Sequence, residues 1–522
     1  MPEYPRFRPG NLNDVAAPFT AAATRPPSPF PMKRRLFFPL FGFLALASVR
    51  LFAAQAPGVT FFPKAGSTNI CPDTPLKITF NGPVTLSGSG KIQIFDAGTR
   101  TAVETIDTSS PTATKTIGGL PGFKYYPVIV TDNVAAIYPK NGALAYNKVY
   151  YITVDPGVFK VGGEPHAGIG EAQRWRFTTQ PAAPSEGTTE LTVDAEGLGD
   201  FCTVQGALDF IPDGNTTPTT ILVREGIYTE IVFFTNKHSV TIQGEDRRKT
   251  IITYANNANF NPSGGNPFGG ATPNPSAEKP QGGSIYRRGM FLAHHVNDFI
   301  LSTITLRNST PQGGSQAEAL ILNGTPEARA VLKDVMLYSY QDTLQINGQA
   351  YLTNCYIEGD VDFMWGTGPV FFEDCTAHTL RSGAYFTQIR NPPTNHGYAF
   401  LRCTFEGSSG VTGNYFSRIA PGRFPASEVV LLDCVLGAAV APVGWLLEKN
   451  PNAPDAPIDP AQVHFWEYKS HTESGAAIDV SKRLPASRQL KQPEDAALIR
   501  DYSTPKFFLG HDWNPREARI FQ

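Results

Sequence analysis

Six stretches in the later part of the chain repeat one alternation of apolar and polar positions: FILSTITLRNST, AVLKDVMLYSYQDTL, AYLTNCYIEGDVDF, VFFEDCTAHTL, AFLRCTFEGSSG and VVLLDCVLGAAV. Each is rich in β-forming residues and carries a small apolar residue near its centre, in turn Ile304, Val335, Cys355, Cys375, Cys403 and Cys434. Short β-runs that recur at intervals of about 20 to 50 residues, with little helical periodicity between them, mark a solenoid in which each unit buries its apolar face against the next. The pattern predicts a parallel β-helix in which each run is one rung. An earlier segment, Val59 to Thr179, alternates differently. LKITF, KIQIFD, YYPVIV, VYYITVD and RWRFTT are separated by Gly, Pro, Asn and Asp turns, which reads as a small β-sandwich.

These patterns divide the 522 residues into a leader over 1–56, a β-sandwich over 57–180, a linker over 181–189 (PAAPSEGTT) and a β-helix over 190–522. The Asn, Gly and Pro-rich stretch 255–284 suits no rung and is expected to leave the solenoid as a long loop, while 480–522 should pack along it without adding rungs. The expected fold is therefore all-β. Forty-eight Gly and 45 Pro fit that expectation, because solenoid and sandwich turns need them.

Within the leader, Met32 opens a signal-peptide pattern: MKRR is a positive start, LFFPLFGFLALASV an apolar segment too short to span a bilayer, and Ala54-Gln55-Ala56 a cleavage site. The Pro-rich stretch before Met32 reads as an upstream mis-start or a short extension. Residues 1–56 hold seven Lys/Arg and two Asp/Glu, so their removal takes the formal charge from −2 to −7. An acidic, secreted chain (periplasmic or cell-surface in a bacterium) is a poor nucleic-acid binder, and it carries no membrane span. A monomer is expected. Cys355, Cys375, Cys403 and Cys434 share one rung position and read as a ladder of buried thiols; Cys71 and Cys202 read as free and buried. No CxxC or HxxxH spacing suggests a metal, and the reading includes neither metal nor cofactor.

The chemistry enters with Asp342 and Asp362. They lie seven residues beyond Val335 and Cys355 respectively, so they occupy the same place on successive rungs and should stack. Adjacent strands are about 4.8 Å apart. Two carboxyls that close cannot both ionise freely, so one keeps its proton while the other serves as nucleophile or base. In a solenoid, turn-capping is the commoner fate of aspartate, and the neighbours decide between the two. Gln316 and Gln341 bring neutral amide donors able to stabilise an oxyanion without disturbing the carboxylates. The chain has no G-x-S-x-G, which argues against a serine nucleophile elbow.

Four segments, in order, resemble motifs of the pectin methylesterases: Gly226-Ile227-Tyr228-Thr229-Glu230, Gln316-Ala317-Glu318-Ala319-Leu320, Gln341-Asp342-Thr343-Leu344 and Gly359-Asp360-Val361-Asp362-Phe363-Met364-Trp365-Gly366. GLGDFCTVQGALDFIP and FWEYKSHTESGAAIDVSKR with FFLGHDW resemble the opening and closing regions, so the resemblance spans about 190–520. It implies a right-handed parallel β-helix of the pectin-lyase-like kind acting on methylated polygalacturonate, with Asp362 as nucleophile, Asp342 as acid/base, and Gln316 and Gln341 as the oxyanion hole. It implies roles in cell wall modification and pectin catabolism. The family's L-G-R-P-W arginine, which holds the nucleophile ionised, is expected at Arg418 of Tyr415-Phe416-Ser417-Arg418-Ile419-Ala420, with Arg423 as second candidate. The Trp of that motif has no counterpart, so Phe363, Trp365 and Trp445 are the candidate sugar-binding aromatics. Tyr228 and Glu230 read as structural, and His294 and His295 as structural or surface residues. The N-terminal segment resembles bacterial immunoglobulin-like domains, which implies a spacer or adhesion module.

Other readings stay open on the same residues. A retaining glycoside hydrolase also needs two carboxyls about 5 to 5.5 Å apart, and a pectate lyase would use Asp360 and Asp362 as calcium ligands. Further alternatives are an esterase or thioesterase of another substrate, and a surface-binding protein that has lost activity.

Overall fold

The computed structural model describes residues 58–517 except 172–174, 263–286, 326, 450–452, 454–462 and 511. The leader and most of the 255–284 loop lie outside the described residues.

From Glu190 the chain winds into coils of three strands, which stack into three parallel sheets of eleven, eight and eight strands. Parallel pairing carries the register from coil to coil, as where Val331, Tyr351 and Phe371 follow one another. Strands buried on one face of such a wall need a continuous apolar row, and Leu301, Leu332, Leu352, Phe372 and Phe400 supply one, each at or below 1% exposure.

The rungs differ from expectation in one respect. Each repeated run is two strands with a bend between them: Gln349–Thr353 belongs to the eleven-stranded sheet and Tyr356–Gly359 to the next. The bend is made by a residue in the left-handed region just before each marker: Thr303, Asp334, Asn354, Asp374, Arg402 and Asp433, with φ between 52° and 57°. Asp and Asn tolerate that conformation better than most residues. The marker then points inward. Cys355, Cys375, Cys403 and Cys434 are buried thiols, and each Sγ donates to a carbonyl of the preceding coil, at Leu332, Leu352, Phe372 and Phe400.

The segment ahead of the solenoid forms antiparallel sheets, one of Val59–Phe62, Leu76–Phe80, Val134–Ile137 and Val128–Thr131, another of Arg176–Thr178, Val149–Val154, Lys91–Asp96 and Ala102–Asp107. Its core, with Ile78, Ile94, Trp175 and Phe177, is separate from the solenoid core.

The two parts are tied together at the solenoid's first coil. Cys71 and Cys202 form a disulfide, which corrects the expectation of two free thiols. Beside it, Asp73 accepts hydrogen bonds from the backbone N–H groups of Cys202 and Thr203 and from the Thr203 hydroxyl (2.6 Å) at the start of helix α1, Val204–Phe210. The hairpin of Ala113–Ile117 and Leu120–Tyr125 adds Ile117, Leu120, Phe123 and Tyr125 to the solenoid core, with Phe123 and Phe233 ring centroids 5.8 Å apart.

Tyr228 and Glu230 are structural, as expected. Tyr228 donates to the Arg224 carbonyl, and Glu230 accepts from the first N–H groups of α1, at Val204 and Gln205. At the other end, helices α2 (Ala496–Tyr502) and α3 (Pro505–Leu509) lie against the outer face of the long sheet, burying Tyr502, Phe508 and Leu509 against Tyr351, Phe371 and Ala399. One further short strand, Arg488–Gln489, does join that sheet.

Candidate functional site

The third sheet carries the chemistry. Gln341 bridges Val361 in parallel, the Asp342 N–H donates to the Val361 carbonyl (3.1 Å), and Leu344 pairs with Met364, so Asp342 and Asp362 occupy equivalent places on successive coils. Both aspartates have left-handed backbones, at φ 66° and 48°. Asp362 also lies in a bulge: between Val361 opposite Tyr385 and Met364 opposite Thr387, two residues face one. A bulge re-aims a side chain, and backbone conformations of this kind persist where the surroundings impose them.

The carboxylates are nearly sealed from water, at 9% and 5% residue exposure, and their partners differ. Arg418 Nε and Nη2 donate to both oxygens of Asp362, at 3.0 and 2.5 Å. Burial raises the Asp362 pKa, and the Arg418 guanidinium limits that rise without reversing it. Asp342 is raised well above the ordinary carboxylate value, first by burial and then by the charges of Glu318 and Asp362, against Arg288 and Arg390. The environments thus push the two carboxyls apart, with Asp342 the better proton donor and Asp362 the better anion.

Gln341 adjoins Asp342 in the chain, the Ala317 N–H next to Gln316 donates to the Gln341 carbonyl (3.1 Å), and both glutamines are partly exposed. Gln316 Oε1 accepts from the Ser315 hydroxyl at 3.1 Å, which leaves its amide N–H groups to donate. Asp360 accepts from Gln312 Nε2 at 2.9 Å. Arg423 is placed on the following loop, 5.1 Å from the Phe424 ring centroid.

The expected aromatics fare differently. Phe363 and Trp445 are both 0% exposed and offer no surface to a sugar. The bulge at Asp362 turns Phe363 inward against Phe386, and Trp445 packs between Phe416 and Phe465. Trp365 is at the site but largely covered, its ring flanked by the guanidinium groups of Arg288 (5.5 Å) and Arg390 (4.9 Å). Partly exposed rings are found instead at Tyr385 and Tyr415, which stack at 5.7 Å, with Arg418 4.5 Å over Tyr385.

A family-wide profile described as Pectinesterase matches residues 190–511, and one described as Bacterial Ig-like domain matches 53–179. Among curated relatives, Pectinesterase 31 of Arabidopsis thaliana is 31% identical over 319 residues, covering 60% of this chain and 91% of that protein. Pectinesterase 2 of Olea europaea is 27% identical, covering 71% and 89%. The solved pectin methylesterase from carrot is similar in fold at a TM-score of 0.50 and 22% identity, over 65% of this chain and 99% of that one. The chain belongs to the pectinesterase family.

Within the pectinesterase frame, several site residues had gone unrecognised in the sequence. Glu318 fills the variable slot of Q-A-x-A-L and is fully buried. Arg288 follows the loop with no motif around it, and Glu448 shares Arg418 with Asp362, at 3.3 Å from Nη1. Tyr385 and Tyr415 were legible in principle, since both pair in register through Val361 on one strand face.

Proposed function

We propose that this pectinesterase hydrolyses the methyl esters of galacturonate in pectin through a covalent acyl intermediate on Asp362. The observation that carries the reading is the unequal support of two stacked carboxyls, with Arg418 across Asp362 and a raised Asp342 beside it. Asp362 attacks the ester carbonyl carbon, and the amides of Gln316 and Gln341 donate to the oxygen as it becomes negative. Collapse expels methoxide, which leaves as methanol with the Asp342 proton. Asp342, now ionised, takes a proton from water as that water attacks the acyl carbon; galacturonate departs, and Asp362 and the protonated Asp342 are restored.

Substrate is methylated polygalacturonate, and Tyr385 and Tyr415 supply the partly exposed rings for a sugar face. The chain acts as a secreted or cell-surface monomer. No helix among the described residues is long and apolar enough to cross a membrane. A lyase built on Asp360 and Asp362 is disfavoured, because the guanidinium on both Asp362 oxygens occupies the place of a cation.

Product analysis on methylated pectin tests the reading. Methanol without new reducing ends or an unsaturated product is expected; reducing ends would indicate a glycoside hydrolase, and ultraviolet-absorbing product a lyase.

A further inference from the structure

Glu318 is a carboxylate at 0% exposure whose side chain is absent from the reaction just described. Burial raises its pKa, and the charge of a cation beside it opposes that rise. Its partner is Arg288, whose Nε and Nη2 reach both Glu318 oxygens at 2.8 to 3.0 and 2.5 Å; the same Nη2 also donates to Asp342 Oδ2 at 3.1 Å. Arg288 is itself only 11% exposed in its side chain, and the Trp365 ring faces it at 5.5 Å. One guanidinium therefore serves two buried carboxyls, one of which is the proton carrier.

We propose that Glu318 and Arg288 form a positioning pair that keeps Asp342 protonated and oriented, with Glu318 neutralising the charge that Arg288 would otherwise turn on Asp342. Arg288 alone would act on Asp342 as Arg418 acts on Asp362, holding it ionised and removing the acid. Glu318 prevents this by taking two of the guanidinium's donors. The site thus uses two arginine contacts with opposite results, decided by whether a second, fully buried carboxylate shares the cation. The groups that face Asp342 are Glu318, Arg288, Asp362 and Arg390. Of these, Asp362 is held by Arg418, and Arg390 is held by Gln388 Oε1. The pair at Glu318 and Arg288 is the part of this environment that can be neutralised without touching the nucleophile.

The inference rests on the acid role of Asp342 in the reading above. Its test is the alkaline limb of the pH profile of kcat/KM for methanol release, which follows deprotonation of Asp342. Glu318→Gln leaves Arg288 facing Asp342 uncompensated, so the limb moves down by about one pH unit or more. Glu318→Gln with Arg288→Gln removes both charges, and with the uncompensated cation gone the limb lies above that of Glu318→Gln, back towards the wild-type position. The acidic limb, which follows Asp362, stays in place in both. Limbs unchanged in two folded variants would overturn the proposal and leave the pair a structural ion pair. Should Glu318→Gln fail to fold, Arg288→Gln and the double variant carry the test: Glu318 acts on Asp342 unopposed in Arg288→Gln, so its limb lies above that of the double variant, and equal limbs contradict the pair. The Asp342 carboxyl is also titrated directly, by infrared difference between each protein and its Asp342→Asn counterpart. A wild type that releases no methanol refutes the esterase reading, while these carboxyl shifts still decide the coupling.

Discussion

Arg418 holds both carboxylate oxygens of Asp362, and the loop neighbour Arg423 lies against the Phe424 ring, 5.1 Å from its centroid. An opposite charge lowers a carboxylate's pKa, so removing Arg418 raises that of Asp362. Activity of Arg418→Ala falls, and because Asp362 must be ionised to attack, the acidic limb of the pH profile moves to higher pH. Arg423→Ala leaves the limb in place. A shift in the second variant and none in the first would reassign the supporting cation.

Gln341→Ala removes a donor whose hydrogen bond strengthens as charge builds on the oxyanion. Its kcat is expected to fall by about 10²-fold or more with little change in KM. A change confined to KM would place Gln341 in substrate binding instead.

Denatured, unreduced protein is expected to show four free thiols, those of Cys355, Cys375, Cys403 and Cys434, and reduction exposes Cys71 and Cys202 as two more. The disulfide closes a separation of 131 residues, and replacing both cysteines by serine costs about 2 to 4 kcal/mol of stability. Unchanged thermal unfolding of the double-serine variant would mean that Asp73 and the Ile117–Tyr125 hairpin suffice to hold the two parts together.

Glu428 predicts an acid sensitivity at the other end. It is buried, which raises its pKa, yet hydrogen bonds from His396 and His464 win and hold it at about 2. Tyr502 of α2 donates to the same carboxylate at 2.9 Å. A depressed carboxyl contributes stability above its unfolded pKa and loses it as pH falls through its folded value. The contribution, about 3 kcal/mol, is therefore present above about pH 4.5 and disappears towards pH 2. Glu428→Gln should unfold more readily than wild type at pH 6, and the gap should close on acidification; a gap of constant size would contradict the linkage.

The sequence carried the solenoid and the carboxyl pair because both are matters of register. A fixed offset from a repeated marker places Asp342 above Asp362 wherever the bends fall, even though the markers proved to sit at bends and not at strand centres. Arg418 was recoverable from its neighbours Phe416 and Ser417 despite the missing tryptophan. What escaped depends on side-chain direction or on docking between distant segments. Phe363 and Trp445 read as available aromatics, and only the bulge at Asp362 and the packing of the last coils show them to be core. Cys71 and Cys202 become neighbours only when the sandwich meets α1, a contact no local pattern encodes. Arg288 reaches Asp342 across 54 residues with no motif around it, so no spacing announced it.

The central claim is that Asp362 performs nucleophilic ester hydrolysis, and methanol release from methylated pectin by wild type and Asp362→Asn, side by side, tests it most directly. The amide is nearly isosteric with the carboxylate but cannot attack a carbonyl. The expected result is steady methanol release by the wild type and a loss of about 10³-fold or more in a folded Asp362→Asn protein. Substantial methanol release by the folded variant would contradict the account.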